Sequence, residues 1–178
     1  MTSSDSVKTL SDKIHPACID QELLLKDCQI RHVRRSGPGG QHRNKVETGV
    51  VIKHVPTKII GEASEKREQG RNRSIALFRL RVNLAIQYRL AELLEAPSQL
   101  WQSRISNGTI KVNSEHDDFP ALLAEALDAC AHFQFDIKAA SLFLKCSPSQ
   151  LVKFLKKEPA AFTLLNQKRH ESGLSPLK

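Results

Sequence analysis

The residues in this sequence best placed to do chemistry form one glycine-rich run, Gly37-Pro38-Gly39-Gly40-Gln41, with His42, Arg43, Asn44 and Lys45 directly behind it. Glycine carries no Cβ, so such a backbone reaches positive φ and brings its N–H groups close to a partner. Pro38 narrows that freedom. The polar residues that follow are donors suited to phosphate and sugar oxygens. Three readings compete: a plain flexible turn, a nucleotide phosphate cradle, and a loop that enters an RNA site. A P-loop needs a second Gly, then Lys, then Ser or Thr, after four spacers from its first Gly. Counted from Gly37, those positions hold His42, Arg43 and Asn44, so the cradle fails.

The charge around this run is lopsided. The chain has 178 residues and a net charge of +8, yet Arg31 to Arg89 holds 14 Lys and Arg against 4 Glu. Residues 96–178 carry ten basic and eight acidic side chains and are almost neutral. A basic excess either keeps a surface solvated or serves a polyanion partner, whose neutralised phosphates release counterions.

The elements that must position the loop follow from periodicity. Asp20 to Lys26 reads as a short helix with acids in its first turn. Cys28 to Arg35 alternates as a strand and stops at the glycine cluster. Val50 to Val55 is β-branched and ends at Pro56-Thr57, and Ile59 to Ala63 is its expected antiparallel neighbour. The period then lengthens to that of a helix: Ile75, Phe78, Val82, Ala85, Ile86, Leu90 and Leu93 share one stripe, flanked by Arg71, Arg73, Arg79, Arg81 and Arg89. Pro97 marks the expected end of this unit.

With these elements in place, the loop and its surroundings resemble the Gly-Gly-Gln domain of class I peptide chain release factors. Ser36 to Lys45, then Thr48, Val50, Ile52, His54, Pro56-Thr57 and Ile59, carry the likeness. Arg67-Glu68-Gln69-Gly70-Arg71-Asn72-Arg73, leading into Ala76-Leu77, resembles the family's second basic motif. The match runs over roughly 20–95. Lys58 stands where a turn glycine is usual, and Glu68 where a serine is usual.

The resemblance implies hydrolysis of the peptidyl-tRNA ester in the peptidyl-transferase centre of the large ribosomal subunit, with Gly39, Gly40 and Gln41 as the catalytic tripeptide. The backbone N–H of Gln41 would donate to the developing oxyanion or the departing ribose hydroxyl, as preorganised donors do elsewhere. It also implies RNA contacts from Arg34, Arg35, His42, Arg43, Asn44, Lys45, Lys53, His54, Arg71, Asn72 and Arg73, and methylation of Gln41 by a glutamine methyltransferase. The expected partners are ribosomal RNA and peptidyl-tRNA, with no cofactor, metal or membrane. Retention of the loop without hydrolysis, in an RNA- or ribosome-binding protein, is the rival reading.

The remaining residues set the expected organisation. Nothing matches a stop-codon tripeptide, which favours codon-independent rescue of stalled ribosomes. Residues 1–19 read as a flexible terminus, 20–97 as the loop-bearing domain and 98–118 as a polar connector, in which Asn107-Gly108 is either a hairpin turn or plain linker. Residues 119–178 read as a helical module with helix starts at Asp118-Pro120, Ser147-Pro148 and Pro159, and a helix-turn-helix outline over 136–158. The expected class is α+β: a small mixed sheet and a long packing helix, followed by an all-α module. The four cysteines show no zinc spacing and read as reduced thiols. With no apolar leader and no span-length stretch, the expectation is a cytoplasmic monomer.

Overall fold

The computed structural model describes residues 14–34 and 47–178. A 3₁₀ turn, Pro16–Cys18, leads into α1 (Gln21–Lys26), whose first turn is capped by the Asp20 carboxylate. Strands β1 (Cys28–Val33), β2 (Gly49–His54) and β3 (Ile60–Ala63) form a sheet in that order. Both pairings are antiparallel, so the sheet is not the mixed one expected. Strand β2 is central and buries Val50, Ile52 and His54 on one face, as a two-residue period requires.

That face lies on α2 (Gln69–Gln87). The helix and strand β3 come unusually close at Gly61, where a Cβ would strike the Ala76 carbonyl and the backbone of Leu80. The opposite side of α2 packs against α4 (Phe119–His132). Sandwiched on two sides, α2 buries Ala76, Leu77, Leu80, Val82, Leu84 and Ala85. It stops at Gln87, so Leu90 and Leu93 lie beyond it and not on its stripe. Tyr88 turns extended there, and Arg89 reaches back to the Ala85 carbonyl while donating to Asp128 Oδ1 at 2.8 Å.

Residues 98–118 are not a linker. They form α3 (Gln99–Arg104) and a hairpin, β4 (Ile105–Ser106) with β5 (Thr109–Ile110). Asn107 and Gly108 both take positive φ, 49° and 70°, as a two-residue hairpin turn demands. Trp101 of α3 is buried, stacks edge-on to Phe154 at 5.7 Å, and donates its indole N–H to the Leu144 carbonyl at 2.7 Å. This segment is therefore part of the core. Helices α5 (Ile137–Phe143), α6 (Pro148–Leu155) and α7 (Pro159–Glu171) complete the chain. The Ser147 hydroxyl caps α6 by accepting from the Gln150 N–H at 3.2 Å. One continuous hydrophobic cluster runs from Ala17 through Leu165, joining the sheet and the helical module.

Residues 14–19 are also held. His15 is buried, its Nδ1 accepts from the Ala17 N–H at 3.0 Å, and its Nε2 faces the Tyr88 carbonyl at 3.1 Å. The buried Arg81 guanidinium donates to the Ala17 carbonyl (3.2 Å from Nη2) and to the Asp117 carbonyl (2.9 Å from Nη1). The flexible terminus expected over 1–19 thus does not extend to these residues; residues 1–13 lie outside the described ones.

Candidate functional site

The tripeptide Gly39-Gly40-Gln41, with Arg35, His42, Arg43, Asn44 and Lys45, lies outside the described residues. Its frame does not. The run joins β1 to β2, which are antiparallel neighbours paired as far as Val33 opposite Gly49. Just beyond that pair, Arg34 Nε meets Glu47 Oε1 at 3.2 Å across the base of the loop. Both side chains are about half exposed or more, so this pair sets register more than it adds stability.

The first turns of α2 hold the returning side of the stem. Gln69 Nε2 donates to the Glu47 carbonyl at 3.1 Å, and Asn72 Nδ2 donates to the Thr48 carbonyl at 2.7 Å. The same Asn72 amide binds Lys66 twice: Nδ2 to the carbonyl at 2.8 Å, and Oδ1 from the N–H at 2.9 Å. Asn72 therefore locks the loop stem, the 64–68 segment and α2 to one another.

Asn72 is fully buried, and its amide is committed to these backbone groups. The residue expected to contact RNA at this position thus has its amide already engaged by the stem. His54 is enclosed likewise. It lies on the inward face of β2 at 4% exposure, with Nδ1 2.8 Å from Thr57 Oγ1 inside the β2–β3 turn. Burial, opposed by the Asp27 charge, holds its imidazole below the usual range. Lys53 is half-buried on the other face of β2.

The exposed cations of this region are Arg31 and Arg34 beside the stem, and Lys66, Arg67, Arg71 and Arg73 at the head of α2. Arg71 Nε contacts Glu68 at 2.5 Å in the open. Glu68 makes no side-chain cap to α2. Not all of the sequence's basic excess faces solvent. Arg81 is tied to backbone carbonyls and Arg89 to Asp128, while Arg79, still exposed, pairs with Glu65.

Lys58 adopts φ 62°, the left-handed conformation that a turn glycine reaches without strain. Among the described residues no group of three His, Cys, Asp or Glu side chains is arranged to hold a metal ion. No helix among them is long and apolar enough to cross a membrane. Sequence reasoning passed over Gln69 and Thr48 as parts of the site. The available signal was the pair of amides at Gln69 and Asn72, three apart and hence on one face of a helix that begins where the loop returns.

The family model for the RF-1 domain matches residues 18–118, more than half of the chain. This chain belongs to the RF-1 domain family. The match takes in the sheet, the loop, α2 and the 98–118 hairpin, and ends where α4 begins. Peptide chain release factor 1 of Chloroherpeton thalassium is 36% identical over 119 residues, covering 67% of this chain and 32% of that protein. Peptide chain release factor 2 of Campylobacter concisus is 37% identical over 90 residues, 51% of this chain and 24% of its own length. The mitochondrial peptide chain release factor 1-like protein of Rattus norvegicus is 40% identical over 78 residues, 43% of this chain and 21% of its own. This RF-1 domain protein therefore spans about a third or less of the curated relatives it matches.

Proposed function

We propose that this protein hydrolyses the ester bond of peptidyl-tRNA on the ribosome, independently of a stop codon, through Gly39, Gly40 and Gln41. The observation that carries this reading is the stem. A glycine-rich run ending in glutamine leaves two paired strands, and α2 grips its return through Gln69 and Asn72. Exposed arginines stand at the base of the run and on the helix that grips it, where a phosphate backbone would approach. Membership of the RF-1 domain family supports the same chemistry.

In this reading the Gln41 backbone N–H donates to the oxygen that gains charge as the ester opens, and the Gln41 side chain positions or selects the attacking water. Gly39 and Gly40 allow the close approach. Donors set in advance cost no reorganisation in the transition state. Ribosomal RNA supplies the rest of the site, so the protein alone is expected to be nearly inert. Gln41 is also the proposed target of a glutamine methyltransferase.

Codon independence is the finer part of this reading, and rests on the sequence's lack of any match to a stop-codon tripeptide. Residues 119–178 fold as helices packed onto α2 and Trp101. The test is peptide release from ribosomes holding peptidyl-tRNA with an empty A site. Native protein should release peptide, and Gly40→Ala should slow release by orders of magnitude. Equally slow release by both would leave a non-catalytic ribosome-binding protein. A marked preference for stop codons over truncated mRNA would overturn the rescue role.

A further inference from the structure

The C-terminal helices carry a second charged surface, away from the loop. Lys138 in the first turn of α5, Lys153 on α6, Lys156 just past its end, Arg169 on α7 and Lys178 after it line one groove of about 750 Å³. Asp136 is the acidic residue in that lining, and its Oδ1 is engaged as the cap of α5, accepting from the Lys138 N–H at 2.8 Å. We propose that this groove binds the phosphate backbone of ribosomal RNA and docks the protein independently of the loop.

The near neutrality of residues 96–178 conceals this surface, because folding sorts their charges. The acids are largely consumed elsewhere. Asp118 pairs with Arg104, Asp128 with Arg89, and Glu171 with Lys168. Glu125 accepts from both the N–H and the hydroxyl of Ser98, and Glu158 caps α7. Lys157, beside the groove in sequence, turns away to the Val112 carbonyl. Among the described residues, no carboxylate comes within ion-pair distance of Lys138, Lys153 or Lys156. Like charges gathered in a concave surface, here outnumbering the Asp136 carboxylate, focus a positive potential.

The walls are held in place. Arg169 donates to the carbonyls of Phe135 (2.5 Å) and Ser175 (3.0 Å). The chain after α7 folds back onto it through reciprocal bonds between Asn166 and Leu177, at 2.8 and 3.2 Å. The uncharged lining is mostly aliphatic, with Ile137 and Val152 beside the Ser149 hydroxyl; no aromatic ring lines it, though Lys156 Nζ lies 5.3 Å from the centre of the Phe162 ring. Aromatic platforms are what stack bases, so this groove suits backbone phosphates over unpaired bases.

The test is equilibrium binding of the full chain to intact ribosomes and to protein-free ribosomal RNA over a range of salt. The triple variant K138Q/K153Q/K156Q should bind both about tenfold more weakly. Its log–log salt slope should be shallower by roughly two to three, since each lost phosphate contact removes about 0.7–0.9. The corresponding triple arginine variant should bind as the native chain does. All three side chains are exposed, so the thermal melts should coincide, which separates lost docking from lost folding. At saturating protein the glutamine variant should release peptide as the native chain does, so failure of hydrolysis and failure of docking read separately. Unchanged affinity and slope in the glutamine variant would overturn the proposal. So would a loss seen only on intact ribosomes, which would point to an acidic ribosomal protein instead.

Discussion

Asn72 Nδ2 lies 2.7 Å from the Thr48 carbonyl, so the first turns of the long helix hold the strand on which the glycine loop returns. The same amide closes on both backbone groups of Lys66. Asn72→Ala leaves a buried donor and two carbonyls without these bonds, each costing about 1–3 kcal/mol where water cannot reach. The expected loss is roughly 2–3 kcal/mol in urea denaturation. Release activity should fall further than stability explains, because the loop's stem loosens. Asn72→Asp, which keeps the acceptor and loses the donors, should fail almost as badly. Native-like stability in either variant would remove the bracket from the account of the site.

Arg71 and Arg73 offer the contrasting case on the same helix. Both side chains are exposed, and the contact between Arg71 and Glu68 is a surface pair. Replacing both with Ala should move stability by less than about 1 kcal/mol. Ribosome affinity should nevertheless drop and its salt dependence flatten. If binding is unaffected, these arginines are merely solvated.

How much of this was legible in the sequence varies with the range of the interaction. The three strands and the capped helix starts at Ser147 and Pro159 were readable because turn chemistry and capping act within a few residues. The end of α2 was not. Leu90 and Leu93 continue its apolar period, but the chain turns out at Tyr88, where Arg89 is drawn to Asp128, a partner 39 positions away. Trp101 was hidden for the same reason. A polar stretch such as 98–118 reads as connector until the buried slot beside Leu144 and Phe154 is known. At the site, motif resemblance marked His54 and Asn72 but could not separate exposed residues from those that hold the loop's frame. Burial makes that distinction.

Gly61 marks the tightest approach of sheet to helix. A Cβ there would lie 2.6 Å from Leu80 Cα and closer still to two further backbone atoms, none of which can rotate away. Gly61→Ala should therefore push β3 off α2 and cost about 3 kcal/mol, at the upper end of ordinary overpacking. Thermal unfolding would read the loss. A change below about 0.5 kcal/mol would mean that β3 yields easily.

Lys58 predicts a gain instead. Its φ of 62° imposes on a side-chain-bearing residue a conformation costing about 1–2 kcal/mol. Lys58→Gly relieves that strain but adds about 0.5–1 kcal/mol of chain entropy to lose on folding. The net expectation is stabilisation by up to about 1 kcal/mol, seen as a higher urea midpoint with an unchanged slope. Destabilisation would show that Lys58 makes a compensating contact.

His15 and Asp128 should leave opposite marks on the pH dependence of folding. Burial, with a smaller push from Arg89, holds the His15 imidazole down at about 4 from its ordinary 6.5. The unfolded chain therefore takes up that proton first, and stability from His15 is lost as pH falls from 6.5 towards 4. Burial lifts Asp128 from 3.8 to about 6, against the opposing Arg89 charge, and its Oδ2 has no hydrogen-bond partner. There the folded chain takes up the proton first, so stability rises as pH falls from 6 towards 3.8. Burial shifts Glu125 upward as well, in the same sense as Asp128. Between pH 6 and 4 each fully shifted group contributes about 1.4 kcal/mol per pH unit, so His15 offsets part of what Asp128 and Glu125 add as pH falls. Asp128→Asn removes one side of that balance, and its stability should fall steadily as pH drops below 6. His15→Gln should give the mirror image and gain stability over the same interval. Urea denaturation at half-unit pH steps reads both, and parallel profiles for the three proteins would show that neither group titrates as its burial requires.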